Sequence, residues 1–380
     1  MRLPRLMCLV ITAALAAGSA HAQIATSARH AVLMDYDTGE ILFDKDGDVP
    51  MPPSSMSKLM TSEMVFRRLK DGSLKLTDKF HVSEKAWRQG ADSSESKMFV
   101  MVGADVGVED LLKGIIVQSG NDACVVVAEN LGGTEEGFAE MMTRRAKELG
   151  LTKSHFANSK GMPDDAEYMS ARDIAMLAAH IIRTYPEYYP YFAMKDFTWE
   201  GITQENRNPL LSMEIGADGL KTGHTEAAGY GLVASAVKNG QRLILVVNGL
   251  ESKSQRASES RRLLEIGFRD FHRYDLLRAG DIVGQAQVWG GDAATVPLKV
   301  SAPLSVTMQR ETRHDMTVTM HYKAPVPAPI AEGQEVGALT VSAPGRPDKT
   351  VPLYAATAVP RTGIFGRMWI GINALVSGAK

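Results

Sequence analysis

GYGLVASAVKNGQRLILVVNGL, running from Gly229 to Leu250, is the stretch that decides the fold. Two apolar, β-rich runs flank Asn239-Gly240, a dipeptide that accepts the positive φ angles of a tight hairpin turn. Near the other end of the same region, AVLMDYDTGEILF (Ala31–Phe43) repeats the pattern around Asp37-Thr38-Gly39. Between the two hairpins the periodicity is helical, over Val108–Val117, Asn121–Leu131, Thr134–Leu149 and Ala171–Thr184. A further helix, SQRASESRRLLEIGFRDF, follows the second hairpin. Strands at both ends of a helical middle predict an antiparallel sheet whose first and last strands meet. The expected class is α+β, with a helical cluster inserted into the sheet.

The flanking segments read differently. From about His272, GQAQVW, LSVTMQR, MTVTMHYK, ALTVSA and TVPLYAA alternate apolar and polar residues between Gly and Pro breaks, which predicts a small all-β module. Within it KAPVPAPIAEGQEVG is a turn-rich connection. At the start, Arg2 and Arg5 precede an apolar run from Leu6 to Ala17 and the small-residue site Ala20-His21-Ala22, the pattern of a cleaved secretory signal. At the end, a helix over RTGIFGRMWIGINALVSGAK would gather Ile364, Phe365, Met368, Trp369, Ile372, Leu375 and Val376 on one side, with Arg361, Arg367 and Lys380 facing anionic headgroups. Packing of that face on the β module is the alternative. The expected organisation is a signal peptide over 1–22, the α+β domain over 23–272, the β module over 273–360 and an amphipathic anchor helix over 361–380.

Composition narrows the function classes. The chain has 42 Lys and Arg against 44 Asp and Glu, and loss of Arg2 and Arg5 with the leader makes the mature chain more acidic still. Nucleic acid is therefore not an expected partner. Cleavage also removes Cys8 and leaves Cys124 alone in the apolar stretch ACVVVAEN, the setting of a buried thiol. The histidines are scattered without metal-ligand spacing, so neither a metal nor another cofactor is expected.

Chemistry enters with PPSSMSKLMTSEM (Pro52–Met64). Residues three apart share a helix face, so Lys58 would lie one turn from Ser55, within reach of its hydroxyl. A serine attacks a carbonyl only if its proton is taken. Lysine takes it only when neutral, which asks for burial or a neighbouring cation. Lys221, in Lys221-Thr222-Gly223, supplies a second cation at the start of the β-rich segment, and Gly223 permits close approach of a substrate backbone. Ser119-Gly120-Asn121 ends one predicted helix and opens another, so its hydroxyl and amide project from a turn. Read singly, these are a solvated helix start, a strand edge and a cap.

In order and separation the three motifs resemble those of the penicilloyl serine transferases, the superfamily of penicillin-binding proteins and serine β-lactamases. SGNDACV, SARD, NRN, DGLKTGHT and LVASA look like the low-molecular-mass D-alanyl-D-alanine carboxypeptidases of the penicillin-binding protein 5 type, and the similarity runs over nearly the whole mature chain. The resemblance implies a β-lactamase/transpeptidase-like domain and a serine enzyme that trims the terminal D-alanine of peptidoglycan pentapeptides. By it Ser55 is the acylated nucleophile, Lys58 the general base, and Ser119 and Asn121 hold the proton path and the substrate amide. Lys221, Thr222 and the strand beyond bind the peptide, and Arg207 of NRN matches an arginine associated with the terminal carboxylate. Backbone N–H groups of Ser55 and His224 would hold the oxyanion, with the His224 side chain either a participant or a wall. The implied partners are pentapeptide stems, β-lactams as covalent inhibitors and the outer face of the inner membrane, in a periplasmic setting.

Two features qualify the resemblance. Glu251 falls where a close relative is expected to carry an arginine, which puts substrate preference in question, and ADSSESKMFVMVG (Ala91–Gly103) reads as a solvated loop beside the cleft. No Leu-Asn pair exists to form the Glu-x-x-Leu-Asn deacylation loop of one β-lactamase class. A DD-endopeptidase and a non-catalytic wall-binding scaffold remain as alternatives.

Overall fold

The computed structural model describes residues 24–91 and 96–363. The expected leader and nearly all of the expected anchor helix lie outside these residues. Among the described residues no helix is long and apolar enough to cross a membrane.

Strands β1 (His30–Asp35) and β2 (Ile41–Lys45) form the first hairpin, with Gly39 at φ 70° in its turn. The helical insertion follows: α1 (Lys58–Asp71), α2 (Glu84–Ala91), α3 (Val108–Lys113), α4 (Asn121–Gly132), α5 (Glu135–Glu148) and α6 (Ala171–Thr184). Two short ribbons interrupt it, β3 (Lys79–His81) with β4 (Asp105–Gly107) and β5 (Asp196–Trp199) with β6 (Ile202–Glu205). The chain then returns as β7 (Ala217–Thr225), β8 (Gly229–Lys238) and β9 (Gln241–Leu250), and α7 (Lys253–Asp270) closes the domain.

The five-stranded sheet has the order β2-β1-β9-β8-β7, and β1 pairs antiparallel with β9, Val32 opposite Val246. First and last strands therefore meet, as the two hairpins predict. The apolar run of β9 is explained by burial on both faces, because successive side chains point to opposite sides of a strand. Ile244 and Val246 pack into the core shared with α1 and α4, whereas Leu243, Leu245 and Val247 pack with Leu263 and Leu264 of α7. This order leaves β7 as an edge strand.

One helix reading needs correction. The segment read as a helix over Val108–Val117 is α3 followed by a π-helical turn, Gly114–Gln118, and Ser119 caps it in the left-handed region at φ 64°. The widened turn changes the phase of the chain just before α4, where Ser119 is buried.

The β module starts at Phe271, slightly ahead of the expected junction, because β10 (Phe271–Leu277) already pairs with β13 (Leu304–Gln309). Strands β11 (Ile282–Trp289), β12 (Thr295–Lys299), β14 (Thr317–Tyr322), β15 (Val326–Pro327), β16 (Glu335–Ser342) and β17 (Lys349–Ala355) form a second sheet, ordered β14-β16-β17-β12-β11-β15. Val296, Leu298, Val306, Leu339, Val341 and Leu353 fill the space between. Strand β12 (TVPLK), which also carries a proline, is not among the strands predicted from sequence. The β1–β2 turn seats this module on the first domain. Glu40 accepts from Thr307 N–H at 2.5 Å and pairs with Arg346 at 2.5 Å and Lys349 at 3.5 Å, and Asp37 pairs with Arg273 at 2.5 Å.

Candidate active site

Pro52 and Pro53 stop the extended chain, and Ser54–Ser57 fold as one 3-10 turn that runs straight into α1. Three residues per turn eclipse positions i and i+3. Lys58 Nζ consequently stands 2.9 Å from Ser55 Oγ. Lys58 is 1% exposed, and its Nζ also donates to the Lys160 carbonyl at 2.5 Å. Ser55 itself is half-buried and opens to solvent.

The other motif residues converge on this pair. Ser119, held by its left-handed backbone, presents a buried hydroxyl that finds no hydrogen-bond partner among the described residues. Asn121, in the first turn of α4, directs Nδ2 to Met162 Sδ at 3.7 Å. Lys221 and Thr222 are buried on β7. Burial, then the positive charges of Lys58 and Arg207, hold the Lys221 ammonium well below the ordinary lysine range. Gly223 was expected to admit a substrate backbone. It lines the cleft and also approaches the turn that carries Ser55 closely, since a Cβ there would lie 3.0 Å from both Pro53 O and Ser54 Cβ. The glycine thus lets the edge strand press against the turn that carries Ser55.

A cleft of about 470 Å³ opens above, lined by Ser55, Ser119, Thr222, Gly223 and His224 together with Ser96, Arg207, Tyr230, Lys253 and Arg256. The His224 ring lines the cleft and stacks on Tyr230 with centroids 3.9 Å apart, and burial followed by the charges of Arg256 and Lys253 lowers its pKa. Arg207 reaches Ser96 Oγ and accepts from Arg256 through its carbonyl at 3.3 Å. Arg256 is 6% exposed, lies 5.8 Å from the Tyr230 ring, and keeps a buried Nε without a partner among the described residues. Burial lowers its pKa to about 10. No carboxylate stands among the described lining residues. Cations gathered without a counter-ion favour an anionic ligand group.

Sequence reasoning missed four lining residues. Arg256 lies outside the three motifs, on α7 beyond the exposed Glu251. Its signal was nevertheless present: Arg256, Glu259, Ser260 and Leu263 recur at helical spacing and are the buried stripe of α7. The loop read as solvated is pinned where it is described. Asp122 accepts the N–H groups of Met98, Phe99 and Val100 at 2.8, 2.8 and 3.2 Å, and the Ser96 carbonyl takes the Asn121 N–H at 2.8 Å. Ser96 thereby joins the site. Cys124 is fully buried in α4 and its thiol is pushed up to about 11 by burial, so it stays unreactive. Among the described residues no cluster of three or more His, Cys, Asp or Glu stands ready to hold a metal.

Residues 16–252 match the family model for D-alanyl-D-alanine carboxypeptidase, and residues 271–361 match that for the C-terminal domain of penicillin-binding protein 5. The chain belongs to the D-alanyl-D-alanine carboxypeptidase family. It is 38% identical over 350 residues to D-alanyl-D-alanine carboxypeptidase DacA of Haemophilus influenzae, covering 91% of this chain and 89% of the relative. It is likewise 38% identical over 346 residues to DacC of Escherichia coli, covering 90% and 86%. Penicillin-binding protein 5 from Haemophilus influenzae superposes with a TM-score of 0.81 at 37% identity, over 89% of this chain and 99% of the other. The similarity thus spans both domains, with a serine and a lysine in contact at the centre of the first.

Proposed function

We infer that the chain is a serine D-alanyl-D-alanine carboxypeptidase that releases the terminal D-alanine of peptidoglycan pentapeptides and is acylated by penicillins. The observation that carries this reading is the 2.9 Å contact of Lys58 Nζ with Ser55 Oγ at the floor of a cationic cleft. The peptide lies extended along the free edge of β7, and Arg207 with Arg256 receives its terminal carboxylate. Ser55 Oγ attacks the penultimate carbonyl while neutral Lys58 takes its proton, and the proton reaches the leaving D-alanine amine by way of Ser119. Backbone N–H groups of Ser55 and His224 hold the oxyanion, a type of contact that lowers a barrier by about 3 kcal/mol. Water then hydrolyses the acyl-enzyme. Asn121 orients the substrate amide, and Thr222 the carboxylate end.

Incubation with diacetylated Lys-D-Ala-D-Ala should release D-alanine, and Ser55→Ala should abolish the release; undiminished release by that variant would refute the assignment. The same reading makes the protein periplasmic, with the β module as a stalk and the segment after Pro360 lying on the outer face of the inner membrane. Its support is the Arg-flanked apolar leader and the one-sided apolar pattern of the last residues. Truncation after Pro360 should leave the activity on soluble peptides and abolish co-sedimentation with anionic vesicles; a truncated form that pellets with them would exclude the anchor.

A further inference from the structure

Behind the nucleophile turn lies a carboxyl group that this scheme does not use. Glu167 is 4% exposed. Its Oε2 accepts the N–H groups of Ala157 and Asn158 at 2.7 and 3.3 Å, while Oε1 has no ordinary hydrogen bond among the described residues. The side-chain group acting on it is the Ser57 hydroxyl, which also has no ordinary partner there. Ser57 closes the 3-10 turn and directly precedes Lys58.

The backbone that Glu167 holds is the start of the loop 157–162, which delivers the Lys160 carbonyl to Lys58 Nζ at 2.5 Å. Loop and turn are in tight contact: Gly161, at φ 74°, sits where a Cβ would lie 2.0 Å from Ser54 O and 2.4 Å from Ser57 Oγ. A second carboxylate holds the middle of the loop. Glu135 Oε1 accepts from Ser159 N–H and Oγ at 3.3 and 2.9 Å and pairs with Lys160 Nζ at 3.4 Å. The charges around this corner are therefore Lys58 from α1, Lys160 in the loop with Glu135 from α5, and Lys221 on β7, which acts on Lys58. Glu135 has Lys160 and, through its other oxygen at 3.9 Å, Lys85 of α2 as ion-pair partners. The cation acting on Glu167 is Lys58.

We propose that Glu167 is a positioning residue of the acylation step, holding the loop that contacts Lys58 and setting by its own charge how readily Lys58 is neutral. The inference rests on Lys58 being the base. A carboxylate near an amine favours the ammonium form, and the uncharged acid favours the free amine that can accept the Ser55 proton. Burial pushes the Glu167 carboxyl up to about 7, so its charge changes within the pH range in which the reaction would be followed. The loop and the base then respond together.

The test is the pH dependence of acylation by a fluorescent penicillin in the full-length protein and in Glu167→Gln and Glu167→Asp. Glutamine keeps an acceptor for Ala157 and Asn158 and removes the charge. Its acid limb should shift to lower pH by about half to one unit and report one ionisation instead of two, with the plateau within about threefold of native. Glu167→Asp should retain the two-step profile. An acid limb in Glu167→Gln that is unmoved, or moved to higher pH, would overturn the proposal. Infrared titration of the unsubstituted protein covers the case in which the glutamine variant fails to fold: a protonated carboxyl band should fade through neutral pH, and its absence would overturn the proposal as well. Failure of the base assignment is separate, because Lys58→Arg would then acylate at the native rate.

Discussion

Around the nucleophile, Ser54, Ser57, Lys58, Ser119, Asn121, Lys221 and Thr222 are all less than a tenth exposed, whereas from Phe271 onward Thr307 and Thr312 are the buried polar residues among those described. The two regions bury their apolar residues in the same way, in continuous clusters. They differ in what else they bury. A polar group taken out of water costs several kcal/mol unless it is hydrogen-bonded, so a domain concentrates such groups only where they are held by neighbours or used by a ligand. In the first domain Glu63 is fully buried, and its Oε1 is held by Arg145 at 2.8 Å, Tyr185 at 3.0 Å and His180 at 3.3 Å. Ser119 and Arg256, by contrast, line the cleft, where substrate is expected, and the Ser119 hydroxyl and the Arg256 Nε are buried without partners among the described residues. The β module concentrates far fewer buried polar groups.

Substitutions can break this contrast at graded strength. Lys58→Arg keeps the charge and removes the base, so acylation by penicillin should fall about 10²–10⁴-fold with the fold intact; native-rate acylation would mean that the buried lysine is only structural. Arg256→Ala removes a cation from the carboxylate seat and should raise KM for the peptide by about 30-fold or more, roughly 2 kcal/mol or more, while kcat changes far less. A fall in kcat at constant KM would contradict that role. Gly223→Ala pushes a methyl group against Pro53 O and Ser54 Cβ, and should destabilise the first domain by about 1–3 kcal/mol in urea melts and slow acylation. Glu40→Ala cuts the junction and leaves the largely buried Arg346 unpaired, so it should loosen the β module by about 1–3 kcal/mol and leave kcat on soluble peptides within twofold. A large loss of activity there would show that the module does more than support.

What could be read in advance follows from range. Ser55 and Lys58 are one turn apart, so local geometry alone brings them together, and the sheet closes because both hairpins carry their own turn signals. Contacts made across the fold were harder to foresee. Arg256 reaches the cleft from α7, Ser96 is drawn in by the Asp122 carboxylate over residues 98–100, and Gly223 serves the packing of β7 against Pro53 and Ser54. Glu167 contacts a loop that begins ten residues earlier in sequence and a turn far from both, so nothing in its own neighbourhood marks it. Buried polar residues at helical spacing were the overlooked signal, and they point to the site as well as the motifs do.

The measurement that tests the central claim most directly is intact-protein mass spectrometry after incubation with penicillin, followed by peptide mapping of the adduct. The Ser55–Lys58 contact predicts one penicilloyl group, carried on the peptide containing Ser55 and lost in Ser55→Ala. An unmodified protein, or an adduct on any other residue, would contradict the account.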